Sequence, residues 1–203
     1  MNTISTNTEV PTIIGTPFDG GYYAGRLRVA DDVFALIVAP KADGEHAKAR
    51  LNQDLARVEG ALSFFDGAAN TAALAAAGSE LAKWAQSLAI GAFSDWYLPS
   101  RDELELIYRA FKPTEEENYC GSGDNPSSVP AGYAYSPDKP ARTDFELFQA
   151  GGREAFTDEW YWSSTLYAGD ESYAWYQDFD DGYQDDGLKG GKRRARAVRR
   201  SKV

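Results

Sequence analysis

The stretch from Trp160 to Val203, WYWSSTLYAGDESYAWYQDFDDGYQDDGLKGGKRRARAVRRSKV, decides how the rest of the chain is read. It opens on Trp160, Tyr161 and Trp162, continues through a segment made almost wholly of Tyr, Asp, Gly, Ser, Ala and Trp, and closes on a basic tail. Tyr with Ser and Gly is the composition of antibody contact loops, where Tyr supplies large amphipathic contact area at low entropy cost while Ser and Gly adapt. The stretch therefore reads as a binding surface. Along residues 174–180 a strand places Trp175, Gln177 and Phe179 on one face, expected inward, and Tyr176, Asp178 and Asp180 on the other, expected toward a partner. Asp181-Gly182 and Asp186-Gly187 are turn signals. In the tail, Ala195 and Ala197 alternate with Arg194, Arg196 and their neighbours as in a strand with one solvated face. Its charge is expected to answer the acidic segment just before it.

Outward from this stretch, the chain is long enough to bury a proper core: it has 203 residues, 43% apolar and 13% aromatic. No run approaches the roughly 20 apolar residues of a membrane helix, and no secretory signal is visible at the start. Synthesis in a cytoplasm is expected, with a virion or cell surface left open as the destination. A net charge of -10 argues against general affinity for nucleic acid. Cys120 is alone, so no internal disulfide forms, and His46 lacks a second His or Cys at ligand spacing.

Residues 1–20 read as an N-terminal arm and residues 21–203 as one ligand-binding domain. Within the domain, the runs 22–29 and 33–39 form a first hairpin, the second run being a continuous apolar core strand. Residues 43–60 are charged and ambiguous. Residues 70–90 read as one Ala-rich helix with Leu74, Leu81, Trp84 and Leu88 at helical spacing. A second helix covers about 101–111, capped by Ser100, with Glu103 completing a capping box and Leu104, Ile107, Tyr108 and Phe111 as its apolar face. Residues 112–143 carry five prolines and no periodicity and read as an inserted surface loop. Residues 145–148 add a short helical turn.

The ordered series Trp96-Tyr97-Leu98-Pro99-Ser100-Arg101-Asp102-Glu103-Leu104, Tyr161-Trp162-Ser163-Ser164-Thr165, Ala174-Trp175-Tyr176 with Phe179, and Arg196-Ala197-Val198-Arg199 resembles the Lcl C-terminal family of bacterial and phage domains. That resemblance implies an α+β domain of C-type-lectin-like fold, with two helices packed on a small antiparallel sheet and a C-terminal hairpin as binding surface. The last segment also resembles the variable region of the variable proteins of diversity-generating retroelements, such as the phage tropism determinants, in which template adenines are randomised on copying. Under that resemblance Ala168, Gly169, Asp170, Ser172, Tyr173, Asp180, Asp181, Tyr183, Asp185, Asp186, Gly187, Leu188, Gly190 and Gly191 are freely chosen residues. Trp162, Ser163, Ser164, Trp175, Gln177, Phe179 and Gly182 are then fixed scaffold. The expected contact set adds Tyr176 and Asp178, with Tyr173, Tyr176 and Tyr183 as anchors.

Three chemistries are weighed against this reading. Asp178, Asp180, Asp181, Asp185 and Asp186 are hard oxygen donors, but neither Gly182 nor Gly187 aligns them with an EF-hand loop, so no metal is assigned. Paired carboxylates cleave glycosides only at a suitable separation, which sequence does not give. A Ser-His-Asp set would rest on His46, with no nucleophile elbow. The expectation is a non-enzymatic domain without cofactor that binds a macromolecular ligand, a surface protein or a glycan. Three alternatives stay open: a fixed carbohydrate-binding domain, a carbohydrate-active enzyme, and a structural virion or cell-surface subunit forming a homo-oligomer.

Overall fold

The computed structural model describes residues 9–203, and residues 1–8 of the expected arm lie outside the described residues. Strand β1 (Pro17–Phe18) pairs with β2 (Gly21–Val29), which forms an antiparallel hairpin with β3 (Asp32–Val38). Register shifts between Tyr23 and Gly25, where Gly25 takes a φ of +131° against the Leu106 side chain. A one-turn helix α1 (Lys41–Gly44) then leads into β4 (Glu45–Arg50), a strand within the stretch whose charge left it ambiguous.

The single helix expected over 70–90 is two helices, α2 (Gly67–Ala76) and α3 (Glu80–Ser87). Between them Gly78 adopts a φ of +93°, a left-handed conformation that ends the first helix, and Ser79 caps the second by accepting from Ala82 N. Helix α4 (Arg101–Phe111) has the expected bounds and capping box. Its apolar face of Leu104, Ile107, Tyr108 and Phe111 packs into one core with Tyr22, Leu27, Leu36, Tyr161 and Phe179.

Residues 112–143 contain only the two-residue strand β5 (Ser128–Val129), paired with β2. The segment is fastened from within: the buried Asn118 amide donates to the carbonyls of Ser136, Pro137 and Pro140 and accepts from the Tyr108 hydroxyl. A 3₁₀ turn follows at residues 146–148.

The remaining strands are β6 (Trp160–Leu166), β7 (Tyr173–Asp178), β8 (Gln184–Leu188), β9 (Lys192–Arg196) and β10 (Val198–Lys202). They are shared between two sheets: β1-β2-β3-β10 with β5 added on β2, and β4-β9-β6-β7-β8. The chain passes from one sheet to the other at Ala197, whose N–H donates to Gly44 O while its carbonyl accepts from Ala39 N.

This overturns the expected two helices on one small antiparallel sheet, and with it the arrangement drawn from the C-type-lectin-like resemblance. Among the described residues there are four α-helices and two five-stranded sheets, and the β6–β9 pairing is parallel. The reason is the basic tail, which reads as one strand but supplies a strand to each sheet.

Its charges are also spent differently from expectation. Arg194 pairs with Glu45 and Glu159, Arg196 with Glu154, Arg199 with Asp95 and Asp19, Arg200 with Asp66, and Lys202 with Asp32. None of these carboxylates belongs to the acidic segment that precedes the tail. No described helix is long and apolar enough to cross a membrane.

Candidate functional site

Strands β6, β7 and β8 form an antiparallel meander in which Trp162 faces Tyr176 and Tyr161 faces Gln177, while Trp175 faces Asp186 and Gln177 faces Gln184. Alternation sorts their side chains onto two faces. Tyr161, Gln177, Gln184, Trp175 and Asp186 share one, and Trp160, Trp162, Tyr176, Asp178 and Asp185 share the other. Gln177 and Phe179 are fully buried, but Tyr176 does not project toward solvent: it is 9% exposed. Arg193 on β9 lays its guanidinium over both Tyr176 and Trp162, 3.7 and 4.2 Å from the ring centroids, and so covers that face. Trp175, expected inward, is only partly buried and meets residues from two other elements.

Those residues centre on Arg101. Ser100 and Glu103 fix the first turn of α4 through reciprocal backbone contacts, which puts Arg101 at the first helical position. Arg101 N donates to Thr165 Oγ1 on β6, and Arg101 O accepts from Gln184 Nε2 on β8, so helix and meander are tied together at this residue. The guanidinium packs beside both rings, 4.8 Å from the Trp175 centroid and 4.9 Å from that of Phe64. Phe64 and Tyr167 meet Trp175 edge-on at 6.0 and 5.7 Å. Arg101 Nε and Trp175 Nε1 are buried and find no hydrogen-bond partner among the described residues. Donors left in that state are uncommon in folded chains and call for a reason.

Around this cluster the surface is concave, with one hollow mainly apolar and the other mainly polar. Leu62, Phe64 and Phe65 are 42%, 40% and 42% exposed. One cavity of about 590 Å³ is lined by Leu62–Phe65, Arg101, Asp102, Asp124 and Ser127 among others. A second, of about 370 Å³, lies between Arg57, Val58, Leu62 and the 167–171 turn, and shares Leu62 with the first. The Asp102 carboxyl is at the rim of the larger cavity, accepting from Ser127 Oγ at 2.5 Å with the Arg101 guanidinium 3.6 Å away. Burial pushes its pKa up to about 6, against the opposing pull of the Ser127 hydroxyl and of Arg101.

The residues singled out in the sequence divide between the two ends of β7, whose length separates them by roughly 17 Å. Ala168, Gly169 and Asp170 are exposed in the β6–β7 turn and line the smaller cavity. Asp170 accepts from the Ser172 N–H and hydroxyl, which holds its carboxyl below the usual range. Tyr173 pairs with Leu188, and Asp186 with Trp175, at the same end.

At the other end stand Asp178, Asp180, Asp181 and Tyr183. Tyr183 packs against Tyr119 and Trp160, with centroids 4.4 and 6.2 Å away. Asp178 and Asp181 accept from the Asp180 and Tyr183 backbone N–H groups. Desolvation raises the pKa values of Asp178, Asp180 and Asp186. Asp185 accepts from the Tyr176 hydroxyl. No group of three or more His, Cys, Asp or Glu side chains among the described residues is arranged to hold a metal ion.

The residues that sequence reasoning missed are Leu62, Phe64 and Arg101. Arg101 was read only as the start of a helix. The signal available for the others was the Phe64-Phe65 pair, two large apolar residues in a polar, non-periodic stretch.

No curated protein and no solved structure matches the chain. The Lcl C-terminal domain matches residues 66–199, a span that includes α4, the whole meander and Arg101, and this chain belongs to that family.

Proposed function

We propose that the chain is a fixed glycan-binding domain whose ligand lies in the trough formed by Leu62–Phe65, Arg101 and the 167–171 turn, with Trp175 packed against Phe64, Arg101 and Tyr167 as its support. Family membership supports a binding or adhesion role without catalysis. The observation that carries the finer reading is the Arg101 guanidinium packed against the Phe64–Trp175 pair, with Arg101 Nε and Trp175 Nε1 both lacking partners among the described residues. A sugar ring presents an apolar C–H face to aromatic rings and hydroxyl oxygens that accept from such donors. Apolar walls with a few convergent polar groups are the usual construction of a small-molecule site. The two depressions meet at Leu62, so a ligand of more than one ring occupies both, with Ala168, Gly169 and Asp170 at its rim.

Side-chain packing favours a fixed surface over a diversified one. A freely chosen position must accept many side chains, yet a Cβ on Gly187 would lie 3.0 Å from both the Tyr176 ring and the Arg193 guanidinium. The test is a glycan array probed with the wild-type domain and with Phe64→Ala, Trp175→Ala and Tyr183→Ala variants. The first two should lose about tenfold or more of the binding to any glycan the wild type retains, as for a central aromatic anchor, and the third should keep it. Equal binding by all four proteins would overturn the assignment.

A further inference from the structure

A separate cavity of about 290 Å³ lies where the edge strand β4 meets α3, lined by His46, Lys48, Arg50, Asn52, Glu80 and Trp84 among others. Most of these residues precede position 66, outside the segment that matches the family, so the cavity is a property of this chain's own N-terminal half.

Its chemistry is set by Asn52, which is 4% exposed. Asn52 Oδ1 accepts from Asp54 N at 3.2 Å, an Asx turn that fixes which end of the amide is the oxygen. The other end, Nδ2, is shielded from solvent and has no partner among the described residues; neither has His46 Nδ1. The His46 ring meets Trp84 edge-on at 5.5 Å, which gives the cavity an aromatic wall. Lys48 and Arg50 are exposed and make no ion pair among the described residues, and the Arg50 guanidinium is oriented by donation from Nε to Gly190 O. Glu80, the one carboxylate of the lining, is already paired with Lys83 at 2.8 Å. A protein of net charge -10 thus carries here a local excess of positive charge around a buried, unused donor and an aromatic surface.

We infer that this cavity is a binding site for a small organic carboxylate. The carboxylate accepts from Asn52 Nδ2 and the Lys48 ammonium, and the apolar body of the ligand lies against Trp84. Charge-assisted hydrogen bonds supply the affinity, and the aromatic wall selects against fully hydrated inorganic anions.

The test uses sodium benzoate as probe and benzyl alcohol as its neutral counterpart, followed by NMR on the full chain. Benzoate should give saturable shifts at the Asn52 side-chain amide and the Trp84 indole, and benzyl alcohol should give none. Asn52→Asp retains an acceptor for Asp54 N but replaces the donor with a negative charge, and Lys48→Glu reverses an exposed charge without touching the core. Each should weaken benzoate binding about tenfold or more. Absence of saturable shifts at these residues, equal binding by wild type and Lys48→Glu, or benzyl alcohol binding as tightly as benzoate would each overturn the inference.

Discussion

The Arg101 guanidinium carbon lies 4.8 Å from the centre of the Trp175 ring, joining the first turn of α4 to the middle of β7. The same guanidinium also packs against Phe64, 4.9 Å from its ring centre. Arg101→Lys keeps the charge but loses the broad guanidinium surface that meets both rings. It should lower stability by about 1 kcal/mol, the scale of a partly desolvated cation–π contact, and weaken ligand binding by more than that loss explains. Urea denaturation alongside ligand titration separates the two effects.

Asp102 makes the domain more stable in mild acid than this residue would allow at neutrality. Its folded pKa, about 6, lies above the ordinary aspartate value of 3.8. Between these values the folded state binds a proton that the unfolded state has released, so stability falls as pH rises from about 4 to about 6. The size of the effect is on the order of 3 kcal/mol for a shift of this size. Asp102→Asn should remove this component and be the more stable protein at pH 7. Unfolding midpoints of both proteins measured across that range check it; parallel pH profiles would show that Asp102 is not the group responsible.

Arg196 and Lys202 both carry ion pairs near the C-terminus, and their substitutions should differ sharply. Arg196 is 2% exposed and donates to Ala39 O, Glu154 O and Glu154 Oε2. Arg196→Met leaves Glu154 buried without its partner and should cost about 3–5 kcal/mol. Lys202 meets Asp32 at the surface, with both side chains about half exposed, so Lys202→Met should change stability by about 0.5 kcal/mol or less. Denaturant midpoints of the two variants provide the comparison.

Two glycines with similar backbone should respond differently to alanine. Gly78 has a φ of +93° and open space around its Cα, so Gly78→Ala meets backbone strain alone, about 1–2 kcal/mol. Gly182 has a φ of +80°, and a Cβ there would stand 2.4 Å from the Tyr108 ring. Gly182→Ala should therefore be the more destabilising of the two and should shift the Tyr108 resonances, which NMR of the two variants distinguishes.

What the sequence discloses about this fold follows from where local signals act alone. The α4 bounds were legible because Ser100, Glu103 and the spacing of Leu104, Ile107, Tyr108 and Phe111 all point to one helix. The β2–β3 hairpin was legible from its continuous apolar second strand. The α2–α3 break was not, because Ala-rich periodicity runs through Gly78 and Ser79 and masks the stop and the cap that these two residues supply. Strand β4 escaped notice because its alternation, Ala47 and Ala49 between His46, Lys48 and Arg50, rests on alanine alone and includes no large apolar residue. The transfer of the tail between sheets at Ala197 is a tertiary event with no local signature. Trp175 was legible as an important residue but was assigned inward, since its neighbours Phe64 and Arg101 come from distant parts of the chain.

The central claim is that the ligand lies against Phe64 and Arg101, beside Trp175 and the β6–β7 turn, and not against the Tyr183–Tyr119 pair at the other end of β7. The most direct measurement is an NMR titration of the wild-type domain with a glycan retained on the array, following the five Trp indole resonances and the Tyr rings. The account predicts saturable shifts at the Trp175 indole N–H and the Tyr167 ring, with Trp160, Tyr119 and Tyr183 unmoved. Shifts confined to Trp160, Tyr119 and Tyr183 would contradict it and place the binding surface at the opposite end of the meander.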